Sequence, residues 1–108
     1  MELLTIPDVA TALRLPVHRV HQCLRDGELV GMRDAEGRRC VPAALLQDGA
    51  IVKSLPSVIR LLRDARFCDE EIVGWLARED ESLPGSPIVA LRENRGTEVK
   101  RRAQAAGF

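Results

Sequence analysis

The stretch Val17-His18-Arg19-Val20-His21-Gln22-Cys23-Leu24-Arg25-Asp26-Gly27 decides how this chain of 108 residues folds. Set at 100° per residue, Val17, Val20 and Leu24 fall on one side of a helix, with Cys23 flanking them. His18 and Gln22 point the opposite way, Arg19 and Arg25 lie on the shoulders, and His21 sits at the edge of the apolar stripe. Pro16 opens such a helix well, and Gly27 is a natural left-handed stop. Any solvated surface helix shows a polar face of this kind, so the face alone selects no function. Its neighbours do.

Upstream, Thr5-Ile6-Pro7-Asp8 reads as a helix start, with Thr5 as cap and Pro7 and Asp8 in the first turn. Val9, Ala10 and Leu13 form its apolar face, and Arg14-Leu15-Pro16 interrupts the pattern. Downstream, residues 29–33 and 38–42 read as two short strands around Asp34-Ala35-Glu36-Gly37, with glycine at the tight end. A short helix, a three-residue turn, a second helix and a hairpin make a winged helix-turn-helix. In that architecture the exposed face of the second helix enters the DNA major groove. His18, Arg19, Gln22 and Arg25 are therefore expected to read or position base edges, and Arg33, Arg38 and Arg39 to rest on phosphates.

The rest of the chain reads as helical. Pro42–Leu46 is a short helical turn broken by Gly49, and Pro56 starts a helix through about Ala65. Asp69-Glu70-Glu71 begins another that carries Ile72, Val73, Trp75 and Leu76. Residues 82–87 form a turn-rich linker, and a last helical region runs from Pro87 towards Ala106, broken near Gly96. The expected fold is mainly α: a winged helix-turn-helix with a small antiparallel β-hairpin wing over residues 1–48, packed against a C-terminal helical bundle over residues 49–108.

Composition sets the limits. Apolar residues make up 45 % of the chain, but Phe67, Trp75 and Phe108 are its only aromatics, so the core must be aliphatic. No apolar run approaches the roughly 18 residues a membrane span needs, and Met1-Glu2-Leu3-Leu4 lacks the basic start of a signal peptide. Three widely spaced cysteines, Cys23, Cys40 and Cys68, fit reduced thiols and a cytoplasmic location better than a disulfide framework.

Formal net charge is zero, with 16 basic and 16 acidic residues. DNA affinity must therefore come from a local patch, and it should be lost readily in salt. Asp26, Glu28, Asp34 and Glu36 interleave with the arginines of the helix and hairpin. A positive strip requires folding to point these acids away and to keep the acidic segment 69–81 elsewhere. Lys100, Arg101 and Arg102 form either an auxiliary phosphate patch or a solvated helix end. His18 and Cys23 are five residues apart and no C-x-x-C or H-E-x-x-H spacing exists, so neither metal nor cofactor is expected. Without a nucleophile motif or a phosphate-cradling glycine loop, neither is enzyme activity.

Residues 4–42, which begin LTIPDVATALRLPVHRVHQCLRDGELVGMR, resemble the winged helix-turn-helix of MerR-like and excisionase-like proteins. IVKSLP (51–56), FCDEEIVGWL (67–76), SLPGSPIVALR (82–92) and EVKRRAQA (98–105) carry a sharper resemblance. Together they are similar to a small actinobacterial family of DNA-binding proteins whose mycobacterial member is a substrate of a transmembrane Ser/Thr protein kinase. The resemblance implies a cytoplasmic protein that binds double-stranded DNA in transcription regulation, with a protein kinase as a further partner. Almost no tail precedes the first helix here, so a phosphoacceptor in such a tail is expected to have no counterpart. WLAREDESLPGSPIVAL (75–91) is also similar to the toxin-binding domain of Xre/ParS-type antitoxins. That likeness implies an alternative in which the C-terminal half binds a protein; core packing accounts for Trp75 as well.

Overall fold

A computed structural model describes residues 1–107; Phe108 lies outside the described residues. The chain runs β1 (Leu3–Thr5), α1 (Ile6–Leu13), α2 (Val17–Asp26), β2 (Met32–Arg33), β3 (Arg39–Pro42), a 3-10 turn (Ala43–Leu45), β4 (Leu46–Gln47) and β5 (Ala50–Ile51). Four helices follow: α3 (Leu55–Asp64), α4 (Asp69–Ala77), α5 (Pro87–Arg92) and α6 (Gly96–Ala105). The architecture is the mainly α winged helix-turn-helix with a helical C-terminal half that the sequence implies.

Local chemistry fixes the helix pair. Thr5 Oγ1 accepts from the Asp8 N–H at 3.3 Å, and Pro7 occupies the first turn, where its missing N–H costs nothing. Arg14 takes a left-handed conformation (φ 56°) to end α1, leaving a three-residue connection to α2. Gly27 ends α2 at φ 78°, its N–H bonded to the Cys23 carbonyl. Val20, Cys23 and Leu24 are buried as the periodicity requires, but Val17 is 43 % exposed. It stands at the first position of α2, where the helix begins to leave the core.

Three strand features correct the reading from sequence. β1 has no counterpart there; it pairs antiparallel with β3, which also pairs with β2, giving a three-stranded sheet in the order β1-β3-β2. Residues 29–31 are not strand. Leu29 and Val30 are fully buried, and Gly31 passes so close to β3 that an added Cβ would sit 2.9 Å from the Cys40 carbonyl oxygen. β4 and β5 form a further antiparallel hairpin where the sequence suggests only a break at Gly49. Its central residues Asp48 and Gly49 both have positive φ (53° and 77°), as a primed two-residue turn demands.

α3 packs on α4 and α6, α5 on α4 and α6, and α4 also meets β2 at the root of the wing. The two halves of the chain share one aliphatic core in which Val9, Leu24, Leu55, Ile59, Leu62, Ile72 and Leu91 are almost wholly removed from water. Each such side chain contributes about 1.5–3 kcal/mol of burial. Arginines tie the elements together. Arg92 Nη1 of α5 donates to the carbonyls of Ala44 (2.9 Å) and Leu46 (2.7 Å). The 82–87 segment is a folded loop: Asp80 and Gly85 bridge, and Asp80 Oδ1 accepts from the Ser82 N–H at 2.9 Å and its hydroxyl at 2.6 Å. Among the described residues, no helix is long and apolar enough to cross a membrane.

Candidate nucleic-acid interface

His18, Arg19, Gln22 and Arg25 are all exposed on α2, opposite the buried Val20, Cys23 and Leu24. Among the described residues, none of the four side chains makes a hydrogen bond or ion pair within the chain. His21 is half-buried at the edge of the stripe. Val17 extends the exposed face at the helix start, an apolar member that helical periodicity assigns to the core.

The wing is a tightly built turn between β2 and β3. The Gly37 N–H donates to the Asp34 carbonyl (3.0 Å) and the Asp34 N–H to the Arg38 carbonyl (2.9 Å), with Gly37 at φ 80°. Asp34 Oδ1 accepts from the N–H groups of Glu36 and Arg38, both at 2.9 Å. The Arg38 N–H is the main reason that this carboxyl is held below its ordinary range, with the Glu36 N–H and the Arg38 guanidinium adding to it. The wing arginines consequently differ. Arg38 is held by two acids, Nε to Asp34 at 3.0 Å and Nη2 to Glu36 at 2.8 Å. Arg33 Nη1 donates to the Gly37 carbonyl at 2.8 Å and braces the turn. Arg39 lies opposite Arg33 in register and has no ion-pair partner among the described residues.

The acids fall partly where a positive strip requires. Asp34 and Glu36 engage Arg38 rather than Arg19 or Arg25. Glu28 accepts from the Cys23 thiol at 3.5 Å, and burial first, then that carboxylate, pushes the thiol pKa up. The acidic 69–81 segment, however, does not lie wholly elsewhere. Asp69 and Glu70 line an open cleft together with Gly31, Met32, Arg33 and Arg39, because α4 packs with its N-terminal end against β2. Asp69 also pairs with Arg63 at 3.2 Å.

The basic residues of α6 separate. Arg102 turns to the folded loop, donating to the Ser82 carbonyl (3.2 Å) and hydroxyl (2.9 Å) and facing Asp80 at 3.7 Å. Arg101 is exposed, while Lys100 is half-buried in a different cavity. Trp75 packs one side against the core and lines an open groove with Arg78, Pro87 and Arg102.

Comparison with known proteins agrees with this architecture. The family model described as "DNA-binding protein Rv2175c, wHTH domain" matches residues 1–46, and that described as "Rv2175c C-terminal domain of unknown function" matches residues 52–107. The chain is 38 % identical over 115 residues to the DNA-binding protein Rv2175c of Mycobacterium tuberculosis, covering 95 % of this chain and 79 % of that protein. It also superposes on the NMR structure of Rv2175c with a TM-score of 0.90 at 36 % identity, over 99 % of this chain and 82 % of the other. With both halves matched in order and nearly the whole length covered, the chain belongs to the Rv2175c family of winged helix-turn-helix proteins.

Proposed function

We propose that this protein binds double-stranded DNA and regulates transcription, with α2 in the major groove and the β2–β3 wing over the adjacent backbone. The observation that carries the reading is the unpartnered face of α2: four polar side chains, two of them arginine, held in the open with no internal bonds among the described residues. Side chains without internal partners break nothing when they turn to a ligand, so their hydrogen bonds to DNA carry no such penalty. Arg19 and Arg25 suit guanine edges and Gln22 suits adenine; His18 can meet a base or a phosphate. Val17 at the helix start suits the methyl group of thymine.

On the wing, Arg39 is the residue best placed to meet a phosphate. Arg33 presents its charge while bracing the turn, and Arg38 is largely neutralised by Asp34 and Glu36. Asp69 and Glu70, across the cleft from Arg33 and Arg39, lower the local positive potential. The expected affinity is therefore modest and steeply salt-dependent, as neutral net charge also implies. Of the partners implied by resemblance, double-stranded DNA is the one this geometry favours.

Selection of duplexes from a random pool, followed by gel shifts, tests the reading. Arg19→Ala and Gln22→Ala should each weaken binding to the selected site by about 1–3 kcal/mol, the range for removing one good hydrogen-bonded pair with a base. Circular dichroism would check that the variants remain folded. Unchanged binding in the folded double variant would remove α2 from the groove.

A further inference from the structure

The chain contains only two lysines, Lys53 and Lys100; its other 14 basic residues are arginine. Far apart in sequence, both line one open cavity of about 440 Å³, together with Ser54, Asn94, Gly96 and Thr97. That volume lies within the roughly 300–1,000 Å³ typical of small-molecule sites. The cavity forms where the starts of α3 and α6 meet. The two starts touch closely enough that a Cβ on Gly96 would fall 2.5 Å from Ser54 Oγ.

We propose that this cavity binds a phosphate-type oxyanion, held by Lys53 and Lys100 with the hydroxyl and amide groups of Ser54, Thr97 and Asn94. Neither ammonium has an ion-pair partner among the described residues, although Lys100 is half-buried. A half-buried cation without a counter-charge gains strongly from an anion beside it. Backbone donors add to the attraction. Both α3 and α6 are ten residues long and neither has a side-chain cap, so first-turn N–H groups such as those of Gly96 and Thr97 have no intrahelical acceptor. Glu98, the acid of that turn, faces Arg95 at 3.8 Å. Leu91 aside, the lining is polar, which favours a polar ligand over an apolar one. This site is separate from α2 and the wing, so its existence does not rest on the DNA reading. Its ligand is either the backbone of nucleic acid or a free phosphorylated molecule, and the two share the same chemistry.

Titration of the full chain with inorganic phosphate, followed by ¹H–¹⁵N correlation spectra, tests the site. The amides of Gly96, Thr97 and Lys53 should shift saturably, with affinity at least about tenfold weaker in the Lys53→Gln/Lys100→Gln variant, whose charge-assisted hydrogen bonds are gone. A second arm identifies the source. If duplex backbone fills the site, the double variant should flatten the dependence of log K on log salt by about two. If the slope is unchanged while phosphate still shifts the wild-type amides, the ligand is a free phosphorylated molecule. Absence of a saturable shift, or its survival in the double variant, overturns the proposal. Failure of α2 variants to alter DNA binding would leave it standing.

Discussion

Arg63 of α3 closes the end of α2 from across the fold: Nη2 donates to the Leu24 carbonyl at 3.1 Å and Nη1 to the Arg25 carbonyl at 3.3 Å. The last carbonyls of a helix have no intrahelical partner, and here a guanidinium fork supplies one. Gly27 permits the approach, since a Cβ there would lie 3.1 Å from Nη1, on backbone that already has positive φ. Nη2 also reaches Asp69 at 3.2 Å, so one side chain joins α2, α3 and α4.

Arg63→Ala should accordingly lower unfolding stability by about 1–2 kcal/mol, the range for hydrogen bonds to a charged group discounted for partial exposure. Arg63→Lys should recover only part of that, because an ammonium cannot serve the same fork. Urea denaturation of the three proteins measures both effects. A midpoint unchanged in Arg63→Ala would show that the end of α2 is stable without the fork.

The unequal wing arginines predict unequal roles in binding. Arg39→Ala should reduce affinity similarly for all duplexes and flatten the salt dependence by about one unit, the signature of one phosphate left unneutralised. Arg38→Ala should have the smaller effect, because its charge is already met by Asp34 and Glu36. Glu70→Gln, which removes an acid from the cleft shared with Arg33 and Arg39, should tighten binding. Fluorescence anisotropy across a salt series separates these outcomes. An Arg38 effect equal to that of Arg39 would mean that the tip ion pairs open on DNA.

Gly31 shows how far the sequence can be read. Residues 29–33 carry a strand-like pattern, and nothing in that pattern marks the glycine as a stop. What the pattern does not reveal is the Cys40 carbonyl, which sits where a side chain would go, and only the folded structure shows it. Gly31→Ala should cost about 1–3 kcal/mol, the usual range for overpacking, read as a fall in melting temperature. A variant as stable as wild type would mean that β3 yields freely.

Features fixed by local chemistry are legible: the Thr5 cap, the Gly27 stop, the helix starts at Pro56 and Pro87, and the break before α6. β1 is not, because three residues carry no usable period and its identity lies in the pairing with β3. The β4–β5 hairpin does have a readable signal, the Asp48-Gly49 dipeptide, which is among the strongest two-residue turn formers. Its strands are too short for that signal to stand out. The polar face of α2 is visible in its periodicity. The state of each wing arginine is not, since partners such as Gly37 for Arg33 depend on how the turn closes. Nor is the cavity that Lys53 and Lys100 share, which needs α3 and α6 to pack together.

Acid should destabilise this protein through three carboxylates that bind local donors. Asp34 is held below its ordinary range chiefly by the Arg38 N–H, Glu71 by the Cys68 N–H, and Asp80 by the Ser82 hydroxyl and then its N–H. Each folded pKa is depressed relative to the unfolded chain. The unfolded state therefore binds protons first as pH falls, and the stability these groups contribute is fully present only above the unfolded carboxylate range. It disappears as pH falls through the folded values. Melting temperature should thus hold between about pH 7 and 5, where unfolded carboxylates near 4 remain ionised, and decline below that. Asp80→Asn and Asp34→Asn should each start from a lower plateau and show a shallower decline, since the linked proton is gone. An acid limb of unchanged steepness in both variants would place the acid sensitivity in other groups.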